Sequence, residues 1–169
     1  MASVQVQRVG EQTVNQPQDA TYGTIFNHTW TNMNLITSHS WSGSFTFLPD
    51  PIPYNGATQF VHRKGDQGTK GAVVYTMPSR TEEPYAIVLA WDAPANHNPP
   101  NSPNRVYIEC GPRDYIESQT WYSIQRNLDI ANPTVEVIEE DGKIKTNATI
   151  NRMANNPAAT LNSHFRIIS

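Results

Sequence analysis

The chain has 169 residues, a formal net charge of -3 and one cysteine, Cys110. That length suits one ordinary domain spanning 1–169 with a real core, and the acidic balance excludes the broad basic footprint of a nucleic-acid binder and makes a zwitterionic lipid headgroup a better membrane partner than an anionic one. A lone cysteine leaves no internal disulfide, so the fold must rest on its core, as in a reducing compartment.

The first residues, 1–8, alternate small or apolar with polar side chains and lack the continuous apolar run of a signal peptide. They read as an edge strand or tail, and the expected location is cytoplasmic. No window approaches the roughly 20 apolar residues of a spanning helix. A β-type region runs from Tyr22 through Phe26, Trp30, Met33 and Leu35 to Ile36, followed by residues 42–48, with Phe45 and Phe47 on one face, and 57–62. Residues 71–77 and 85–91 are nearly continuous apolar runs, the pattern of central strands buried on both faces, and should form the core pair. Residues 105–110 alternate, with Val106 and Ile108 on one side. Residues 135–139 and 143–150 flank Asp141-Gly142, a hairpin signal, and Phe165 to Ile168 close the chain. About ten short strands separated by Gly, Pro, Asn and Asp argue for an all-β fold, an antiparallel β-sandwich.

One stretch reads as a helix, at about 112–127. Pro112 suits its first position, Asp114 its first turn and Arg126 its last. Helical spacing gathers Ile116, Trp121, Ile124 and Leu128 on the packed side and turns Tyr115 and Tyr122 outward together.

Catalytic arrangements are missing. The histidines His28, His39, His62, His97 and His164 are scattered, with no metal-ligand spacing, so no metal or other cofactor is expected. The segment His39-Ser40-Trp41-Ser42-Gly43 lacks the first glycine and the strand-to-helix setting of a nucleophile elbow. Cys110 ends an apolar strand and reads as a small buried hydrophobe. The sequons Asn27-His28-Thr29 and Asn147-Ala148-Thr149 read as chance. An enzyme is therefore not expected. What stands out is the stretch 91–104, where prolines stiffen a loop and asparagines display donors and acceptors. Trp91, Asp92, Pro94, Asn96 and His97 from it, with Tyr115, Trp121 and Tyr122 from the helix, form the expected ligand-binding set. Their aromatic rings suit a sugar face or a quaternary ammonium.

Several short motifs resemble the jasmonate-induced proteins of plants: Asn27-His28-Thr29-Trp30, Ser38-His39-Ser40-Trp41-Ser42-Gly43, Tyr54-Asn55-Gly56, Phe60-Val61-His62, Gly68-Thr69-Lys70-Gly71-Ala72-Val73-Val74-Tyr75 and Val88-Leu89-Ala90-Trp91. The strand order, the Gly-Ala-Val-Val-Tyr strand and the helix after Cys110 also resemble the actinoporin-like pore-forming proteins. That resemblance implies a β-sandwich that recognises phosphocholine through an aromatic pocket. Tyr115, Trp121 and Tyr122 fall where that family carries its tyrosine cluster, and Pro94 at the proline of its headgroup loop. Two departures matter. Residues 98–102 replace the family's aromatic run, and the first 20 residues hold no apolar stripe able to enter a bilayer. The expectation is a non-catalytic stress or defence protein that binds a glycan or a zwitterionic lipid headgroup, with peripheral membrane contact. A membrane-damaging cytolysin is the alternative. Oligomeric state is left open, a homo-oligomer included.

Overall fold

The computed structural model describes residues 20–77, 83–95, 102–139, 144–152 and 159–167. Within them the chain runs β1 (Ala20–His28), β2 (Asn34–Ser42), β3 (Ser44–Phe47), β4 (Gly56–Arg63), β5 (Gly68–Met77), β6 (Tyr85–Pro94), β7 (Arg105–Pro112), α1 (Arg113–Ser118), α2 (Trp121–Asp129), β8 (Thr134–Ile138), β9 (Ile144–Arg152) and β10 (Ala159–Ile167). The strands form a six-stranded sheet, β3-β4-β1-β10-β9-β8, and a four-stranded sheet, β2-β5-β6-β7. This is the expected β-sandwich. Pairing is antiparallel throughout except between β1 and β10, which run parallel. The edge strand or tail expected at residues 1–8 lies outside the described residues.

The core pair is β5 with β6, in register from Gly68 opposite Pro94 to Met77 opposite Tyr85. Alternate residues of β6 divide between two cores: Ile87, Leu89 and Trp91 enter the space between the sheets, while Ala86, Val88 and Ala90 meet the helices on the other face. That double burial is why the run shows no polar alternation.

The β-type region from Tyr22 to Ile36 divides into β1 and β2, which belong to different sheets. Asn27 makes the division. Fully buried, its amide donates to the carbonyls of Thr31, Ile52 and Pro53 at 2.9–3.1 Å, and its oxygen accepts from the backbone N–H and hydroxyl of Thr29. The first sequon is therefore a structural knot between two loops. A second expectation fails at β3, where a register shift between Phe45 and Phe47 breaks the alternation. Phe45 packs on the core, and Phe47 is exposed.

Trp91 corrects a larger expectation. Read as a ligand contact, it is fully buried between the sheets against Phe60 and Phe45. Its indole N–H donates to His62 Nδ1 at 3.1 Å, which fixes the proton of a neutral His62 on Nε2. That N–H then donates to Ser40 Oγ at 2.9 Å, and the Ser40 hydroxyl donates to the Gly43 carbonyl at 2.8 Å. Phe45 stacks on the imidazole at 4.4 Å. Gly71 makes room, since a Cβ there would sit 2.9 Å from His62 Cε1. Gly43, at φ 95°, lets the chain turn where a Cβ would strike the Arg63 carbonyl.

The helix expected as one piece at 112–127 is two, broken at Gln119 and Thr120. Thr120 has extended backbone; its hydroxyl accepts from the Ser123 N–H at 3.1 Å, and Ser123 Oγ accepts from the Thr120 N–H at 3.2 Å. This reciprocal cap satisfies donors that a continuous helix would pair internally. The inward set holds across the break, with Ile116, Ile124 and Leu128 buried against Ala72, Val74 and Val88.

Burial holds the His62 pKa at about 4, below the ordinary 6.5. The folded state therefore binds fewer protons than the unfolded chain. The stabilisation is complete above about pH 6.5 and is lost as pH falls towards 4, on the order of 3 kcal/mol in all. A His62→Gln variant can accept from the indole and donate to Ser40 without titrating. Its melting temperature should fall less than the wild type's between pH 6.5 and 4; parallel profiles would contradict this role.

Candidate functional site

Helices α1 and α2 cover the outer face of the four-stranded sheet, and three side-chain groups lie along that layer. At the start of α2, Trp121 stacks on His39 at 5.0 Å and meets Trp41 edge-on at 6.3 Å. All three rings are half-buried and hold α2 to β2. At the other end, Lys70 pairs with Asp129 and with Asp92 at 3.5 Å, and Arg105 lies 3.9 Å from Asp92. Burial pushes the Asp92 carboxyl up, while Lys70 and then Arg105 pull it back. Between these groups runs a chain of polar bonds: Tyr107 donates to Glu109 and accepts from Asn127, and Glu109 Oε1 accepts from Tyr115 at 2.8 Å and from Gln119 at 2.9 Å.

The expected binding set is thus divided. With a rise of about 1.5 Å per residue, α2 sets Trp121 roughly 12 Å from Asp129, so Tyr115, Trp121 and Tyr122 do not converge with Asp92 and Pro94. Trp91 is core. Asp92 is a clamp joining β5, β6, β7 and the end of α2. Pro94 is half-buried opposite Gly68, and Asn96 and His97 lie outside the described residues. The two tyrosines do face outward, 53% and 70% exposed. The helix break separates their roles: Tyr115 leans onto β7 through Glu109, whereas Tyr122 projects from α2 with no hydrogen bond or ring partner among the described residues.

A groove of about 380 Å³ opens beside Tyr115, where β7 and β8, edge strands of opposite sheets, finish together. Its walls include Pro112, Tyr115, Val137 and Ile138, with the carboxyls of Glu109 and Glu139. Glu139 Oε2 is buried and has no hydrogen-bond partner among the described residues. A buried carboxylate oxygen without a donor is costly, and a cation or donor placed in the groove would relieve it. Glu109, Ile138 and Glu139 were not expected from the sequence. Glu109 shows there only as an outward polar position on an alternating strand. Cys110 also borders the groove, but burial and then Glu139 push its thiol up to about 11, which leaves it a poor nucleophile.

The Tyr122→Ala variant should melt within about 1 kcal/mol of wild type, whereas Trp91→Ala should cost about 3–5 kcal/mol. Calorimetry of the two variants separates an outward ring from a core ring, and equal losses would contradict the assignment.

Comparison with known proteins adds three findings. The sequence model of the Nakanori-like protein family matches residues 6–156. A jasmonate-induced protein homolog from Atriplex canescens is 36% identical over 130 residues, covering 75% of this chain and 69% of that protein. The crystal structure of the lipid binding protein Nakanori superposes with a TM-score of 0.72 at 18% identity, covering 88% of this chain and 71% of that one. The last shows the fold, the actinoporin-like sandwich that the motifs suggested. With a match over most of its length and a relative of this similarity, the chain belongs to the Nakanori-like protein family.

Proposed function

We propose that the protein binds, without catalysis, the zwitterionic headgroup of a membrane lipid, with the headgroup's ammonium seated in the groove beside Tyr115. The observation that carries this reading is the pairing of an exposed phenol ring with the Glu139 carboxylate, whose buried Oε2 has no hydrogen-bond partner among the described residues, in one groove. An aromatic face and a carboxylate together suit a quaternary ammonium, which cannot donate hydrogen bonds and is held by charge and ring contact. A structural neighbour is a lipid binding protein, which favours a lipid as the source of that cation. The same end of the sandwich, where β1, β7 and β8 finish, carries the exposed ring of Tyr54 and the part-exposed Trp30. Their loops are tied together by Asn27 and by Asn32, whose side chain accepts from the Tyr54 N–H at 3.0 Å. Rings held at one end suit contact at headgroup depth.

A glycan is favoured by one feature, the open face of Tyr122, which offers a stacking platform. Two acids in the groove favour the cation instead. For the cytolysin alternative, no helix among the described residues is long and apolar enough to cross a membrane; this says nothing of strands.

Co-sedimentation with vesicles of phosphatidylcholine or sphingomyelin should show binding that soluble phosphocholine competes away, with weaker binding to phosphatidylglycerol and no dye leakage. Tyr115→Ala should weaken it by roughly five- to thirtyfold, and Glu139→Gln in the same direction. A Tyr54→Ala variant should lose vesicle affinity while keeping its affinity for free phosphocholine. Unchanged binding in both groove variants, or a preference for phosphatidylglycerol, would contradict the proposal.

A further inference from the structure

The two outer faces of the sandwich differ. Helices cover the four-stranded sheet, whereas among the described residues nothing covers the outer face of the six-stranded one. Across that bare face the register sets Phe26 of β1, His164 of β10, Asn147 of β9 and Glu136 of β8 in one row, and His28, Arg166 and Lys145 in the next. Phe26 and His164 stack at 4.3 Å with an interplanar angle of 2°, and His28 Nε2 lies 3.1 Å from His164 Nδ1. One nitrogen of that contact donates and the other accepts, so a neutral pair keeps one ring nitrogen on each imidazole outside that contact. The stack fixes the imidazoles before any ligand arrives.

Charge is unbalanced here. Arg166 is exposed and has no carboxylate partner among the described residues. The single acid of the cluster, Glu136, pairs with Lys145 at 3.0 Å. Burial first, then the neighbouring His28 and Arg166, hold His164 below its ordinary pKa, the response of an imidazole crowded by positive charge. A chain of net charge -3 therefore concentrates positive potential at one spot on a bare sheet. A groove of about 310 Å³, lined by Glu136, Lys145, Asn147, His164 and Arg166, opens at that spot.

We propose that this groove is a second binding site, for an oxyanion such as a phosphate or sulfate ester, held by Arg166 and His164 with Lys145, Asn147 and His28 around it. Arg166 supplies a planar fork for two oxygens, Asn147 an amide N–H, and the imidazole pair a donor that gains charge when it takes up a proton. Glu136 opposes the anion but also steers the Lys145 ammonium to the groove. The site stands on a different face from the headgroup groove and does not rest on that reading. The ionisable groups facing it are His28, His164, Arg166, Lys145 and Glu136. Of these, only the histidines can gain a positive charge on acidification, and between pH 7.5 and 5.5 any proton they take up must tighten binding.

Inorganic sulfate is the probe, because it stays a dianion over that range. At constant ionic strength, the imidazole resonances of His28 and His164 should shift saturably on sulfate titration while those of His39 and His62 stay in place. Affinity should be higher at pH 5.5 than at pH 7.5. Arg166→Gln, an exposed change whose fold is checked by melting, should weaken binding at least fivefold. Linear shifts in every histidine, or an unaltered Arg166→Gln, would overturn the site. Two further arms identify the source of the anion: glucose 6-phosphate for a soluble ester, and phosphatidate added to phosphatidylcholine vesicles for a lipid one. Saturation by the sugar phosphate, or a phosphatidate-dependent gain in vesicle binding that Arg166→Gln abolishes, supports the site and names its ligand class. Failure of both arms together with sulfate overturns it.

Discussion

The buried relay from Trp91 through His62 and Ser40 to the Gly43 carbonyl is the constraint around which the sandwich is assembled. It joins β6 and β2 of one sheet to β4 of the other and reaches the turn that leads into β3. A polar group placed between two sheets costs several kcal/mol if unpaired, and here every donor in the chain has an acceptor. The direction of the chain is set by the indole, which can only donate. Protonated His62 would turn a second N–H against it, so the core tolerates only the neutral ring. The shape of the relay also explains two glycines: Gly71 yields space to the imidazole, and Gly43 presents the final carbonyl from a conformation open to glycine.

From this shared core the two sheets take different tasks. The four-stranded sheet spends its outer face on the helices, and the helices in turn place Tyr115 against Glu109 at the edge of β7. Among the described residues the six-stranded sheet leaves its outer face bare, with two imidazoles, an arginine, a lysine and an amide in adjacent rows. Both features fall towards the same end, because β7, β8 and β10 all finish there. Acid and aromatic surface lies on one side of β8, and basic surface on the other. This end of the molecule therefore presents both signs of charge.

The architecture was legible because its signals are local. Near-continuous apolar runs marked β5 and β6, alternation marked β7, and Asp141-Gly142 marked a hairpin between β8 and β9. The inward set of Ile116, Ile124 and Leu128 followed from helical spacing. The break between α1 and α2 was written in Thr120 and Ser123, but a cap made by two hydroxyls is a weaker sign than the glutamate version of that motif. Trp91 was misread because an aromatic at the mouth of a Pro-Asn loop looks alike whether its ring turns out or in. The partner that turns it inward, His62, lies on a strand of the other sheet. The groove was illegible for the same reason, since Glu109 and Glu139 meet only because the edges of two sheets meet. The stacked pair His28 and His164 depends on a parallel pairing between the first and last described strands, which no local pattern announces.

The most direct test of the account is a crystal structure of the protein with phosphocholine. The trimethylammonium should lie within about 6 Å of the Tyr115 ring centroid, against the Glu139 carboxylate and between Pro112 and Ile138. A headgroup seated instead at Trp121 or beside the Asp92 clamp, with the Tyr115 groove unoccupied, would contradict it.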